Sequence, residues 1–222
     1  LKVRKDKLAA KEIEKILAID PGDLCALWGR AEVFRRVYKF KDAEKILKQI
    51  LAKSSDHASS LISLAYIRYH DYKFSEALKI LKGVLRQPGL DSENKAMAYM
   101  LIGSINARRS MLGGLFSKLA YGTQIKGYFE KAKALAPDLP EAYLGLGTFC
   151  LLAPRISGGD VDRAIEELEY AVKLAPDFAT PQARLAQAYK IKGNIEKYNF
   201  YIKRARELDP ENEVAREIEQ TL

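Results

Sequence analysis

A chain of 222 residues, 48% hydrophobic and 30% charged, has room for one or two globular domains and an ordinary apolar content. Its longest apolar runs fall far short of the ~20 residues that a membrane-spanning helix needs, so no stretch of it spans a bilayer as a helix. Cys25 and Cys150 lie far apart with no CxxC partner, which excludes a zinc ribbon and a disulfide framework.

The net charge of +8 is unevenly spread. Residues 1–90 hold 19 Lys/Arg against 11 Asp/Glu, and residues 156–222 hold 10 against 13. A basic front half could attract nucleic acid or anionic lipid. Its lysines, however, alternate with glutamates at helical spacing, as in "KDKLAAKEIEKIL", and such interleaving marks a solvated helix face.

The first predicted element is "KLAAKEIEKILAIDPGD", an amphipathic helix with Ala9, Ile13 and Ile16 on one face, stopped before Pro21. Because the chain opens at Leu1, inside this pattern, a longer natural protein is expected. Similar helix ends recur at Ser55, Gly89, Pro137, Pro176 and Pro210, at intervals of 34, 34, 48, 39 and 34 residues. Each interval holds two helical patterns. The second helix carries a small residue, then apolar ones four and seven on: Ala43, Leu47, Ile50; Ala77, Leu81, Val84; Ala164, Leu168, Ala171. The first helix carries an apolar residue and then an apolar–small pair: Leu61, Leu64–Ala65; Tyr99, Ile102–Gly103; Tyr143, Leu146–Gly147. Spacings of three and four keep these residues on one face, and the small ones let two helices approach closely.

The two long intervals hold extra residues between their helices. "MLGGLFSKLAYG", 111–122, is the larger insertion, and residues 154–159 the smaller. Leu112, Leu115, Phe116 and Leu119 fall at i, i+3, i+4 and i+7. A short helix over 112–121 is therefore expected, hinged at Gly113, Gly114 and Gly122 and folded back onto Leu144, Leu151 and Leu152. An exposed recognition element is the alternative. The glycine pairs do not cradle phosphate: no strand precedes Gly113–Gly114 and no Gly-Lys-Ser/Thr follows. In "SGGDVD", Asp160 is expected to cap the helix that begins at Val161. His57 and His70 have no nucleophile or paired carboxylate beside them in sequence. No catalytic residue, cofactor or metal ligand is assigned, and the chain is expected not to be an enzyme.

The 34-residue pattern resembles the tetratricopeptide repeat (TPR), W-x2-L-G-x2-Y…A-x3-F…P. Departures stand at Arg30, at Arg68 and Asn106 where an aromatic is usual, and at Ile125 and Tyr198 where a small residue is usual. The resemblance implies an all-α, right-handed TPR α-solenoid of about eleven helices, paired antiparallel in one domain. Its repeats would be 1–23 (partial), 24–57, 58–91, 92–139, 140–178 and 179–212, followed by a polar capping helix over 213–222. First helices would line a concave groove. A stripe offset from the packing stripe then gives the partner-binding candidates: Trp28, Glu32, Arg35 and Arg36; Ile62, Tyr66, Tyr69 and His70; Met97, Met100, Ser104 and Arg108; with Leu144, Thr148 and Leu151 beyond. Trp, Tyr, Met and Arg are enriched in interface cores.

The implied role is a non-catalytic scaffold binding a protein or peptide, with an acidic or mixed acidic–apolar ligand expected from the groove arginines. Chaperone clamps of this family use Lys and Asn where this chain has Trp, Glu, Ile, Tyr and Met, which argues against that use. A short likeness around "SGGDVDRA" to the helical T-component of TRAP-type transporters gives a second reading, substrate capture or transport. A basic RNA- or lipid-associated scaffold is the third. Salt-dependent head-to-tail self-association is a further expectation, and the compartment, cytoplasmic or periplasmic, stays open.

Overall fold

The computed structural model describes residues 6–113 and 115–220, and the side chains of these except 115–123. Among the described residues there are twelve α-helices and no strand. They are α1 (Asp6–Ile19), α2 (Leu24–Arg36), α3 (Phe40–Lys53), α4 (Ala58–His70), α5 (Phe74–Val84), α6 (Ser92–Leu112), α7 (Leu115–Leu135), α8 (Pro140–Leu152), α9 (Val161–Leu174), α10 (Ala179–Ile191), α11 (Ile195–Leu208) and α12 (Glu213–Gln220). The chain divides into two compact units, one reaching Ile105 and the other starting at Asn106.

Helix starts follow from local capping. A side-chain acceptor at the residue before the helix takes up one of the first backbone N–H groups, which have no intrahelical partner. Asp23 accepts from Ala26 N at 2.6 Å, and Asn194 from Lys197 N at 3.0 Å. His57 Nδ1 accepts from Ser60 N at 3.3 Å. Asp160 accepts from the backbone N–H groups of Asp162 and Arg163, as expected from the sequence. Pro140 starts α8 at a position where no backbone donor is lost.

In the first unit each helix packs on its chain neighbours, α1 on α2, α2 on α3, α3 on α4 and α4 on α5, and the first helices α2 and α4 also touch. The predicted second-helix stripes, Ala43, Leu47, Ile50 and Ala77, Leu81, Val84, are fully buried. Ala31, Ala43, Leu47 and Ile67 form one cluster with Trp28, Phe34 and Phe40 around it. Ile13 and Leu17 of α1 close on Ala26 of α2, while Ile16 stays half exposed.

The second unit repeats the scheme. Ala183 and Ala186 of α10 meet Tyr198, Ile202 and Ala205 of α11, and Ala215 and Ile218 of α12. Gly147 of α8 lies so close to α9 that an added Cβ would stand 2.7 Å from Leu168 Cγ. That is why a small residue follows Leu146.

Departures from the repeat pattern have local answers. Arg68, in place of an aromatic, makes two hydrogen bonds to Glu44 of α3, at 2.7 and 3.1 Å. Arg30 Nε donates to Glu14 of α1 at 2.9 Å. Ile125 and Tyr198 are accommodated inside the core.

The larger insertion differs from expectation. The helices on either side of Gly113, α6 and α7, are 21 residues each, against 13 and 14 for α2 and α3. Residues 115–121 open α7 instead of forming a separate helix, and Gly122 lies within it and is no hinge. Leu, Phe, Lys and Ala propagate a helix once one is nucleated, so joining α7 avoids a second nucleation cost. Leu112 is exposed. The expected fold-back of Leu115, Phe116 and Leu119 lies outside the described residues. The smaller insertion forms a single 3-10 turn over Arg155–Ser157 and returns through Gly158 at φ 94°. Gly159 then sits where a Cβ would be 1.8 Å from Ala153 O.

Candidate functional site: the α2–α4 face

Of the residues singled out in the sequence, those on α2 and α4 come together. Glu32 and Arg35 lie one turn apart on α2 and are only 4% and 8% exposed. Arg35 grips the Glu32 carboxylate with two hydrogen bonds, Nε to Oε1 at 2.8 Å and a terminal nitrogen to Oε2 at 2.7 Å. Ser63 of α4 donates to Glu32 Oε1 at 2.7 Å, and Trp28 Nε1 donates to Ser63 Oγ at 3.0 Å. Arg36 lies 3.9 Å from Glu32 and reaches Asp6 of α1 at 2.6 Å.

Burial pushes the Glu32 carboxyl up. The charges of Arg35 and Arg36, with the hydrogen bonds from Arg35 and Ser63, overcome that and hold it at about 2. A buried carboxylate is tolerated only when paired and hydrogen-bonded in this way.

Arg35 also lies over the Tyr66 ring, its Cζ 3.9 Å from the ring centre. From there aromatic contacts continue along the end of α4. Tyr66 meets His70 at 4.8 Å and Tyr69 at 6.0 Å between ring centres, and Tyr69 meets His70 at 5.5 Å. His70 reaches Phe40 at 4.9 Å, and Tyr69 reaches Phe74 at 6.1 Å. One connected set therefore runs from Trp28 to Phe74 within the first unit.

Ile62 is buried, Met100 is buried and Met97 is half-buried. Ser104 returns its hydroxyl to Met100 O at 3.1 Å. Arg108 falls beyond Ile105, in the second unit. There, Leu144 packs with Leu168 and Leu185, Leu151 is buried and Thr148 is half-buried.

The arginine expectation needs revision on one point. Arg35 is not a cation held out to a ligand, because its charge is spent on Glu32. Ser63, Asp6 and the phenylalanines Phe40 and Phe74 were not singled out in the sequence. Ser63 follows Ile62 directly, and helical periodicity alone does not show which neighbour a hydroxyl will find. The phenylalanines had a visible signal: "YKF" occurs twice, at 38–40 and at 72–74, one repeat apart.

No family model and no curated protein matches the chain. Solved structures do. TTC0263, a thermophilic TPR protein of Thermus thermophilus, is similar with a TM-score of 0.69 at 17% identity, over 90% of this chain and 98% of that one. PilF of Pseudomonas aeruginosa is similar with a TM-score of 0.55 at 20% identity, over 98% and 90%. The human IFIT1 dimer with PPP-AAAA is similar with a TM-score of 0.64 at 18% identity, over 90% and 45%. The chain has the all-α TPR fold of stacked antiparallel helix pairs. Among the described residues no helix is long and apolar enough to cross a membrane.

Proposed function

We propose that this chain of TPR fold is a non-catalytic adaptor that binds a protein segment on the face formed by α2 and α4. The observation that carries the reading is the Trp28–Ser63–Glu32–Arg35–Tyr66 set. It ties two successive first helices together with a paired charge, hydrogen bonds and a guanidinium over a tyrosine ring. A surface held in place this way is pre-organised, and binding to it forfeits little side-chain freedom. Tyr69 and His70 form its accessible margin, each half-buried.

Since Arg35 is internally neutralised, the acidic character expected of the ligand loses its main support. Aromatic and apolar contact is what the margin offers. The fold by itself is no guide to function, so the substrate-capture and RNA-scaffold readings carry no structural argument beyond the basic front half.

The test is to isolate binding partners with the wild-type chain and measure one identified partner against Tyr69→Ala. An affinity loss of roughly tenfold with unchanged helicity is expected, in line with truncating an interface aromatic. Undiminished affinity would place the interface elsewhere.

A further inference from the structure

The positive charge of the front half has a definite place in the first unit. The second helices α1, α3 and α5 each turn one stripe inward, and the residue two places beyond the first alanine of that stripe points to the opposite side. That position holds Lys11, Lys45 and Lys79, at the 34-residue interval and all exposed. Lys7 and Lys41 stand one turn before it on α1 and α3, and Lys82 one turn after it on α5, exposed as well.

Glutamates alternate with these lysines in sequence, but the structure draws the carboxylates away from them. The three helices carry nine lysines and six carboxylates. Four of the six pair with arginines of first helices: Asp6 with Arg36 at 2.6 Å, Glu14 with Arg30 at 2.9 Å, Glu44 with Arg68 at 2.7 Å and Glu76 with Arg68 at 3.4 Å. Glu12 pairs with Lys15, and Lys48 shares Glu44. Asp42 is the remaining carboxylate. Among the described residues, Lys7, Lys11, Lys41, Lys45, Lys79 and Lys82 enter no ion pair. The second unit reverses the charge. Counted from Ala164, the α9 positions that match Lys41, Lys45 and Lys48 are Asp162, Glu166 and Glu169.

Aliphatic side chains flank the lysines. Leu8 and Ile19 of α1 are 60% and 88% exposed, and helical geometry sets both within about 80° of Lys11. Their counterparts on α3 are Asp42 and Lys53, both exposed. These are solvent-facing positions of the repeat, so packing within the chain gives no reason for an apolar residue there.

We propose that the outer face of α1, α3 and α5 docks on an anionic lipid bilayer. A bilayer surface presents negative charge without a fixed register, so lysines on separate helices each add attraction. Its interfacial layer also takes up Leu8 and Ile19, which a nucleic acid would leave in water. Arginine is the side chain suited to bidentate phosphate contacts, and Arg30, Arg36 and Arg68 are held by carboxylates. Between the lysines the outward positions are Gln49, Ala52 and Gly83, which offer no ring for stacking on a base.

This face is separate from the α2–α4 one, and the inference does not depend on that reading. Co-sedimentation with vesicles tests it, using phosphatidylcholine alone and phosphatidylcholine with about one-quarter phosphatidylserine. The chain is expected to bind the anionic vesicles, to ignore the neutral ones, and to be released by raised salt. Lys45→Glu with Lys79→Glu should weaken binding at least tenfold. Lys173→Glu with Lys203→Glu, the same charge change in the second unit, should leave it within about twofold. Leu8→Ser with Ile19→Ser should weaken it with helicity unchanged. No binding to anionic vesicles, equal binding to neutral ones, or equal losses from the two lysine pairs overturns the face. An unaffected Leu8→Ser, Ile19→Ser variant overturns the choice of lipid. A polyuridylate oligonucleotide that binds where vesicles do not, and is lost with Lys45→Glu and Lys79→Glu, overturns it in favour of nucleic acid. Failure with vesicles leaves the α2–α4 interface standing, because that is scored separately by Tyr69→Ala on an identified partner.

Discussion

The two units use one helix-pair plan with different contents. In the first, α2 and α4 bury Glu32, Arg35 and Ser63 and join them across the helix boundary. In the second, α10 buries Ala179, Ala183, Ala186 and Ala188 with Pro181, Gln182, Leu185 and Tyr189, none of them charged. The turns differ likewise: Tyr38 and Tyr72 take the left-handed φ of 60° and 59°, whereas the second unit's α10–α11 turn has Gly193 at 72°. Helices of this fold are packed there without buried charge. Buried charge and strained tyrosine cost stability, and their concentration on one unit separates a recognising surface from a supporting one.

The largest contrast should come from breaking the buried pair. Arg35→Ala leaves Glu32 charged and buried, and should cost about 3–5 kcal/mol. In the second unit Leu185→Ala, which removes a fully buried side chain, should cost about 2–5 kcal/mol by leaving a cavity. Denaturant unfolding measures both. Trp28 is the chain's one tryptophan and reports on the first unit. Replacing Glu32 and Arg35 together by well-packed apolar residues should restore most of the loss. If Arg35→Ala is harmless, the pair does not organise the face.

The two units should also part at opposite ends of the pH scale. Glu32 and Glu44 are both held at about 2 in the folded chain, below the ~4.3 of an unperturbed glutamate. For Glu44 the Arg68 hydrogen bond is the main cause, and burial opposes it. A depressed folded value means that the stabilisation is complete above the unfolded value and is lost as pH falls through about 2. In the second unit, burial pushes the Tyr143, Tyr189 and Tyr201 phenols up. Their contribution is full below the unfolded value near ~10 and is lost as pH rises through the folded ones. Acid should therefore change Trp28 fluorescence first, and alkali should loosen the second unit first, as seen by residue-resolved amide exchange. The reverse order would remove this electrostatic distinction.

A smaller effect separates the turns. Gly193→Ala places a Cβ in the left-handed region and should cost about 1 kcal/mol, while Tyr72→Gly should be neutral or stabilise slightly. Thermal melting distinguishes them. A substantial loss from Tyr72→Gly would mean that the ring holds the turn together. Trp28→Phe, which removes one partly buried hydrogen bond, should cost about 0.5–1.5 kcal/mol.

Helix pairing is legible in the sequence because it depends on periodicity. The stripe Ala43, Leu47, Ile50 is buried where a spacing of three and four puts it. Contacts between side chains of successive repeats are not legible. Glu32 and Ser63 are 31 residues apart, and the stripe containing Glu32 is a set of outward positions that does not encode burial. Hence the stripe presents Arg35 as a cation offered to a ligand, whereas its neighbours absorb it. The broken period points to an insertion at 111–122. It does not fix the conformation, because an apolar stripe is equally compatible with a separate helix and with an extension of α7.

The most direct measurement compares two aromatic truncations against one identified partner: Tyr69→Ala at the margin of the α2–α4 face, and Phe200→Ala on α11, where the ring is largely exposed. With both variants fully helical, Tyr69→Ala should weaken binding roughly tenfold or more, and Phe200→Ala should leave it unchanged. Loss with Phe200→Ala and none with Tyr69→Ala would contradict the assignment and move the interface to the second unit.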